Sequence, residues 1–290
     1  MKWIITISAI LLFALAGCGK DKQSTNELIT VDVTASYPKK ELILQDFMDV
    51  EYIPLETKDD FICQGLVLAI GKDIILARNR IRDGDIFIYD RKTGKGLKKI
   101  NREGQGGEEY TFIQRIVLDE KQNEIFVLDH FSRKISVYDL DGNFKRSLKR
   151  GDELYFFHLY NFNQTSLITN NYWVTDKPAF TIISKQDGTT KQIQIPFKEK
   201  ISMAVNYSDK AKDIYYNVIP DNYNPIIPYF DCWVLVEQSS DTVYKYQSDH
   251  KMIPIIARTP SVQSMNPEVF LFLGILTNRY YFMETVNKEY

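Results

Sequence analysis

Apolar and polar positions alternate along this chain in short bursts, with turn-forming residues between them. The pattern is clearest from 113 to 149. Ile113 to Asp119 reads as a strand, Glu120 to Asn123 as a turn, and Glu124 to Asp129 as a second strand. His130 to Arg133 is a second turn, Lys134 to Asp139 a third strand, Leu140 to Asn143 a third turn and Phe144 to Lys149 a fourth strand. β-Branched and aromatic residues fill the bursts, as strands favour. Asp141-Gly142 suits the third turn, because glycine reaches positive φ without steric cost. Four short antiparallel strands joined by tight turns make one blade of a β-propeller.

The unit repeats. Asp85 to Lys95, continuing to Ile100, has the same form, and it returns in weaker copies at Phe180 to Ile195 and Thr242 to Ile256. Aligned on the second strand, the units start near Asp73, Glu124, Ser166, Asp231 and Asn278, which are 51, 42, 65 and 47 residues apart. Propeller repeats run about 40–50 residues. The long interval holds an insertion, Pro196 to Asp231, with a polar stretch readable as a helix (Ile201 to Asp213) and a Pro- and Tyr-rich run from Tyr215 to Tyr229. Glu27 to Ala35 and Glu51 to Leu55 read as strands, and the segment between them is ambiguous. The last unit reaches only its second strand, Arg279 to Thr285, before Tyr290. Either the N-terminal strands complete that fifth blade, or a further part of a six-bladed ring lies outside this sequence. The second is preferred, because a ring that ends within a hairpin exposes a sheet face and edges. The expectation is an all-β chain: a β-propeller of four-stranded antiparallel blades, six-bladed in type, with about five present.

Residues 1–17 read as a targeting segment. Lys2 is a short basic region, and Trp3 to Leu15 is apolar but shorter than the roughly 20 residues a spanning helix needs. Leu15-Ala16-Gly17-Cys18 looks like the bacterial lipobox, in which the cysteine sulfur carries a diacylglycerol. Buried acyl chains anchor a protein without a spanning helix. Residues 18–27 then read as a polar, flexible tether and 28–290 as the propeller domain. The implied address is the cell envelope, at the outer membrane, facing the periplasm or the surface.

Composition narrows the partners. Beyond residue 17 the chain has 35 basic and 38 acidic residues, a net charge of about −3, which argues against nucleic acid. Cys63 and Cys232 have no CxxC neighbour and read as buried free thiols. The 35 Tyr and Phe residues favour strands.

The lipobox, the run Asp90-Arg91-Lys92-Thr93-Gly94-Lys95, the loop Arg102 to Tyr110, the blade Glu124 to Leu148 and the stretches Arg258 to Ser261 and Pro267 to Phe270 together resemble the six-bladed β-propeller lipoproteins of Bacteroides-type bacteria, relatives of NHL- and TolB-like propellers. The resemblance covers nearly all of the mature chain. It implies a six-bladed fold and an envelope location, and no activity.

Antiparallel alternation puts the second-to-third loops and the blade-to-blade loops on one face of such a ring. That face collects Arg78, Arg80, Arg82, Arg102 and Arg133, with Gln105, Tyr110, His130, Tyr172 and Trp173. Arginine offers forked donors to carboxylate or phosphate, and the aromatic residues offer flat faces to sugars. The expected function is a binding or scaffold module for an anionic or glycan-like ligand, or for a protein partner. The Gly104–Gly107 loop is no phosphate loop, since no GK[ST] follows it. His130, His158 and His250 fall in different units, and no G-x-S-x-G elbow occurs. No catalytic residue and no cofactor is assigned. A channel metal of the kind lactonase-type propellers use remains the second reading, as a hydrolase, with Asp119 and Asp129 as the acids to consider.

Overall fold

Each repeat of the sequence folds into one twisted sheet. The computed structural model describes residues 28–288 apart from 38–40, 42, 44, 46, 81–82, 150–155, 172–177, 210, 219 and 221–222. After β1 (Ile29–Asp32), the first blade comprises β2 (Leu66–Ile70), β3 (Ile74–Arg78), β4 (Asp85–Asp90) and β5 (Gly96–Asn101). The second comprises β6 (Ile113–Asp119), β7 (Glu124–Asp129), β8 (Lys134–Asp139) and β9 (Phe144–Lys149). The third comprises β10 (Phe156–Asn161), β11 (Ser166–Asn171), β12 (Phe180–Ser184) and β13 (Thr190–Ile193). A separate hairpin follows, β14 (Val205–Asp209) with β15 (Ile214–Val218). The fourth blade is β16 (Ile226–Tyr229), β17 (Cys232–Leu235), β18 (Thr242–Gln247) and β19 (Met252–Thr259). A last hairpin pairs β20 (Val269–Leu276) with β21 (Tyr281–Asn287). Within every blade the strands pair in chain order and antiparallel.

The core lies between blades. Alternate residues of a strand point to opposite faces, and each face meets a different neighbour. Ile74, Leu76, Ile86 and Ile88 of the first blade pack with Ile116, Leu118, Ile125 and Val127 of the second. Phe126, Leu128, Ile135 and Val137 pack the other way, onto Leu159, Leu167 and Ile183 of the third. The third blade then meets Ile226, Leu235 and Tyr246 of the fourth, and the fourth meets Leu273 of the last hairpin. Burial on both faces explains why β7 is buried along its whole length. Among the described residues Cys63 and Cys232 are free thiols, Cys232 buried and Cys63 half-buried, and no helix is long and apolar enough to cross a membrane.

Two expectations change and one alternative is removed. β1 does not join the last hairpin, as the less preferred alternative had it. It runs parallel to β19, with Ile29 opposite Ile256 and Asp32 opposite Thr259, and becomes a fifth strand on the open edge of the fourth blade. Residues 51–55 form no ladder, because Pro54 has no N–H to donate; Ile53 and Leu55 instead cover the outward face of the first blade, over Ile75, Ala77, Phe87 and Tyr89. The described residues of 201–213 are not helical. The β-favouring run Ile214 to Val218 supplies a pairing partner for Val205–Asp209, and Asp213 takes the left-handed conformation (φ 51°) that turns the hairpin.

Candidate functional site

The innermost strands β2, β6 and β10 stand side by side, and a cavity of about 250 Å³ opens along them. Arg115 projects from β6, and His158, Tyr160 and Asn161 from β10, against Leu68 and Ile70 of β2. Not one acidic side chain lines this cavity. A second space of about 450 Å³ shares Ile70, Leu118 and Asn161 and continues to the turns at Glu120, Lys121, Asn163 and Gln164. The concave volume therefore follows the inner strands and widens at the end opposite the Arg-rich loops.

The polar wall is held in place by its neighbours. The His158 backbone N–H donates to Asn170 Oδ1 at 3.3 Å, and His158 Nδ1 lies 3.1 Å from the same oxygen. That oxygen only accepts, so the neutral ring carries its proton on Nδ1 and Nε2 is its acceptor nitrogen. Thr169 Oγ1 donates to the His158 carbonyl at 2.5 Å. The Tyr160 ring lies parallel to the imidazole, with centroids 6.3 Å apart, and tilts onto Trp233. Burial holds the His158 pKa below its ordinary value, the Asn170 contact opposes this, and the Arg115 charge adds to the depression. Burial likewise raises the Tyr160 hydroxyl.

Beneath this wall lies a buried ammonium. Lys185 Nζ donates to Asp119 Oδ2 at 2.5 Å, Asn161 Oδ1 at 2.7 Å and the Asn163 carbonyl at 2.6 Å, so all three of its protons are used. Burial lowers its pKa and Asp119 opposes that shift. Asn161 Nδ2 donates to the Leu118 carbonyl at 3.2 Å. Together these bonds brace the second blade against the third at the cavity wall.

Of the described residues singled out in sequence, Arg102 and Tyr110 are taken up by links within the fold. Arg102 Nε donates to the Gly142 carbonyl at 2.8 Å, a link between blades. Tyr110 is fully buried; its hydroxyl donates to the Gly84 carbonyl at 2.6 Å and accepts from Arg102 N at 3.0 Å, so it presents no face to a ligand. Arg78 is half-buried beside Asp83, Asp85 and Glu103, around a space about the size of one water. Arg80, Gln105, His130 and Arg133 are exposed. Arg82, Tyr172, Trp173 and Cys18 lie outside the described residues. The Gly-rich loop folds around Glu109, whose carboxylate accepts from Gly106 N at 2.7 Å.

The two acids considered for a channel metal are committed elsewhere. Asp119 holds Lys185. Asp129 accepts from Thr111, Phe131 and Ser132. Among the described residues no three or more His, Cys, Asp or Glu are gathered as a metal set. Sequence reasoning named His158 only to set it aside with the other histidines, and passed over Arg115, Tyr160 and Asn161. Their signal was present, as polar residues inside the apolar runs of inner strands.

Comparison with known proteins agrees with the architecture. The model of a family described as a 6-bladed beta-propeller, DUF5128, matches residues 19–290. A Bacteroides fragilis protein described as exported superposes with a TM-score of 0.53 at 13% identity, over 90% of this chain and 78% of its own. A member of the DUF4221 family from Bacteroides vulgatus superposes with a TM-score of 0.50 at 12% identity, over 80% of this chain and 74% of its own. At those identities the likeness is one of fold. No curated protein matches the chain.

Proposed function

Because the chain belongs to the DUF5128 family of six-bladed β-propellers, we propose that it is a lipid-anchored binding module of the cell envelope, whose ligand is a small anion or an anionic sugar held in the channel beside Arg115. The observation that carries this reading is the charge of the cavity wall. Between the inner strands it holds one guanidinium, an imidazole, a phenol and an amide and no carboxylate. Asp119 and Glu120 line only the continuing space at the turns, where they accept from Lys185 Nζ and from the Lys72 and Asp73 N–H groups. A cation in a cleft with low-dielectric walls focuses its field on an entering anion. Arg115 supplies the fork for a carboxylate, phosphate or sulfate, while Asn161 and Tyr160 line the space around it. Burial and the Arg115 charge disfavour the charged form of His158, and an anion beside Arg115 favours it.

Cys18 anchors the ring, and the ten residues 18–27 let it stand at most about 35 Å from the bilayer. The partners of this reading are the membrane, through the lipid, and the channel ligand; nucleic acid and a cofactor play no part. Two experiments test it. Cys18→Ala moves the protein from the membrane fraction to the soluble fraction if the anchor is right. A thermal-shift panel of phosphate, sulfate, acetate, glucuronate and galacturonate yields at least one stabilising anion for the wild type, and Arg115→Met abolishes that shift. A panel with no stabilising member, or one indifferent to Arg115, removes the binding-module reading.

A further inference from the structure

One buried carboxylate shapes the loop face at the other end of the channel. Asp129 closes β7 and is fully buried. It accepts from Thr111 N at 2.6 Å and Thr111 Oγ1 at 2.9 Å on one segment, and from Phe131 N at 3.0 Å and Ser132 N at 3.2 Å on another. The His130 N–H adds a bond to the Phe112 carbonyl at 3.2 Å. Two loops are thereby locked to each other, and three rings with them. His130 meets Phe131 edge-on with centroids 4.9 Å apart. Phe112 meets His130 at 5.9 Å and Phe131 at 5.7 Å.

The result is an apolar ledge that stays in water. Phe131 is 67% exposed although Asp129 holds its backbone N–H and two rings pack against its own. A rigid, exposed aromatic gives contact area at low cost in conformational entropy, which is the property of a binding residue. The ledge is too small for a stable protein partner, which covers about 800 Å² a side, whereas a fully buried aromatic offers about 150–250 Å². It suits one flat ring. Polar groups accompany it: one of the three rings is the exposed imidazole of His130, and Arg133, two residues beyond Phe131 in the same turn, is exposed at φ 50°. A ligand matching an apolar face and a hydrogen-bonding rim has carbon–hydrogen bonds on its faces and hydroxyls around its edge.

We propose that Phe112, His130 and Phe131 form a subsite for a hexopyranose ring at the loop-side rim of the channel. Phe112 directly precedes β6, and Arg115 lies three residues further on, about 10 Å along the strand. The ledge is therefore a separate site from the anion position, and it stands whether or not the channel takes an anion.

The test is saturation-transfer NMR on the full chain with methyl β-glucoside, methyl β-galactoside and methyl α-mannoside. Saturation of the phenylalanine ring protons transfers to the axial C–H protons of at least one glycoside. Phe131→Ala weakens that binding about tenfold. Phe131→Trp keeps it, and Arg115→Met leaves it unchanged. Phe131 is exposed, so the alanine variant keeps the wild-type unfolding midpoint. Three outcomes overturn the proposal: no glycoside receives saturation, Phe131→Ala binds as well as wild type, or the signal is lost with Arg115→Met instead. The last of these places the sugar in the channel.

Discussion

The Glu56 backbone N–H donates to the Gly94 carbonyl at 2.8 Å, tying the N-terminal segment to the outer turn of the first blade. The contact repeats a rule of this ring. The outer turn of the second blade sets Gly142 against Ile100 of the first blade's outer strand, and that of the third sets Gly188 against Leu148. Gly94 of the first blade sits against Pro54 and Leu55 in the same way. Residues 53–56 thus occupy the place of a preceding blade's outer strand. All three glycines have φ near 70–84°. An alanine there costs about 1–2 kcal/mol for the left-handed backbone alone. At Gly94 a Cβ would also fall 1.9 Å from the Pro54 carbonyl oxygen, where only backbone movement relieves it. Gly94→Ala is therefore expected to destabilise more than Gly142→Ala or Gly188→Ala in urea denaturation, and it alone should open residues 50–63 to limited proteolysis.

The fourth blade breaks the same rule with a histidine. His250 takes the equivalent left-handed position (φ 68°), and its ring is stacked on Phe162 while Nδ1 contacts the Tyr246 hydroxyl at 2.8 Å. His250→Gly relieves about 1 kcal/mol of backbone strain and forfeits about 1 kcal/mol of hydrogen bond. The expected unfolding midpoint is close to wild type, whereas His250→Ala loses the bond and keeps the strain, and unfolds earlier.

Lys185 and Asp119 form a buried pair whose halves depend on each other. Lys185→Met strands the Asp119 carboxylate at 4% exposure, which costs about 3–5 kcal/mol. Asp119→Asn retains the oxygen that accepts from Gln122 N and removes the charge. The double variant Lys185→Met/Asp119→Asn is expected to be more stable than Lys185→Met alone in chemical denaturation. Additive losses would mean that the two groups do not interact.

His158 gives the stability a pH slope. The folded state holds it below the unperturbed value near 6.5, so on acidification the unfolded chain takes up the proton first. Stability is complete above about pH 6.5, falls as pH drops below it, and levels off below the folded-state value. His158→Gln should flatten that part of a plot of unfolding free energy against pH.

Arg102 and Arg115 separate what was legible in sequence from what was not. The strands of the second blade fall at the bounds the pattern assigns, because the apolar bursts are buried most fully in β7 and the first and third turns carry Asn123 and Gly142, residue types suited to positive φ. The partner of β1 was not legible, since it depends on which edge the ring leaves open. Arg102 looked like a ligand contact because it sits in a loop among other arginines. Its guanidinium instead meets a backbone carbonyl of the next blade, 40 residues away, and no local pattern encodes that. Arg115 falls inside the strand Ile113 to Asp119 with nothing local to single it out, and only the arrangement of three inner strands sets it on a cavity wall. Arg102→Ala is expected to lose about 1.5 kcal/mol of stability and to leave anion binding intact. Arg115→Met should do the reverse in the same two assays.

The most direct measurement is the pH midpoint of the His158 ring, followed by NMR of ¹³C-histidine-labelled protein with and without saturating glucuronate. An anion beside Arg115 stabilises the imidazolium, so the expected midpoint rises on addition in the wild type and does not move in Arg115→Met. An unchanged wild-type midpoint would contradict a carboxylate site in the channel.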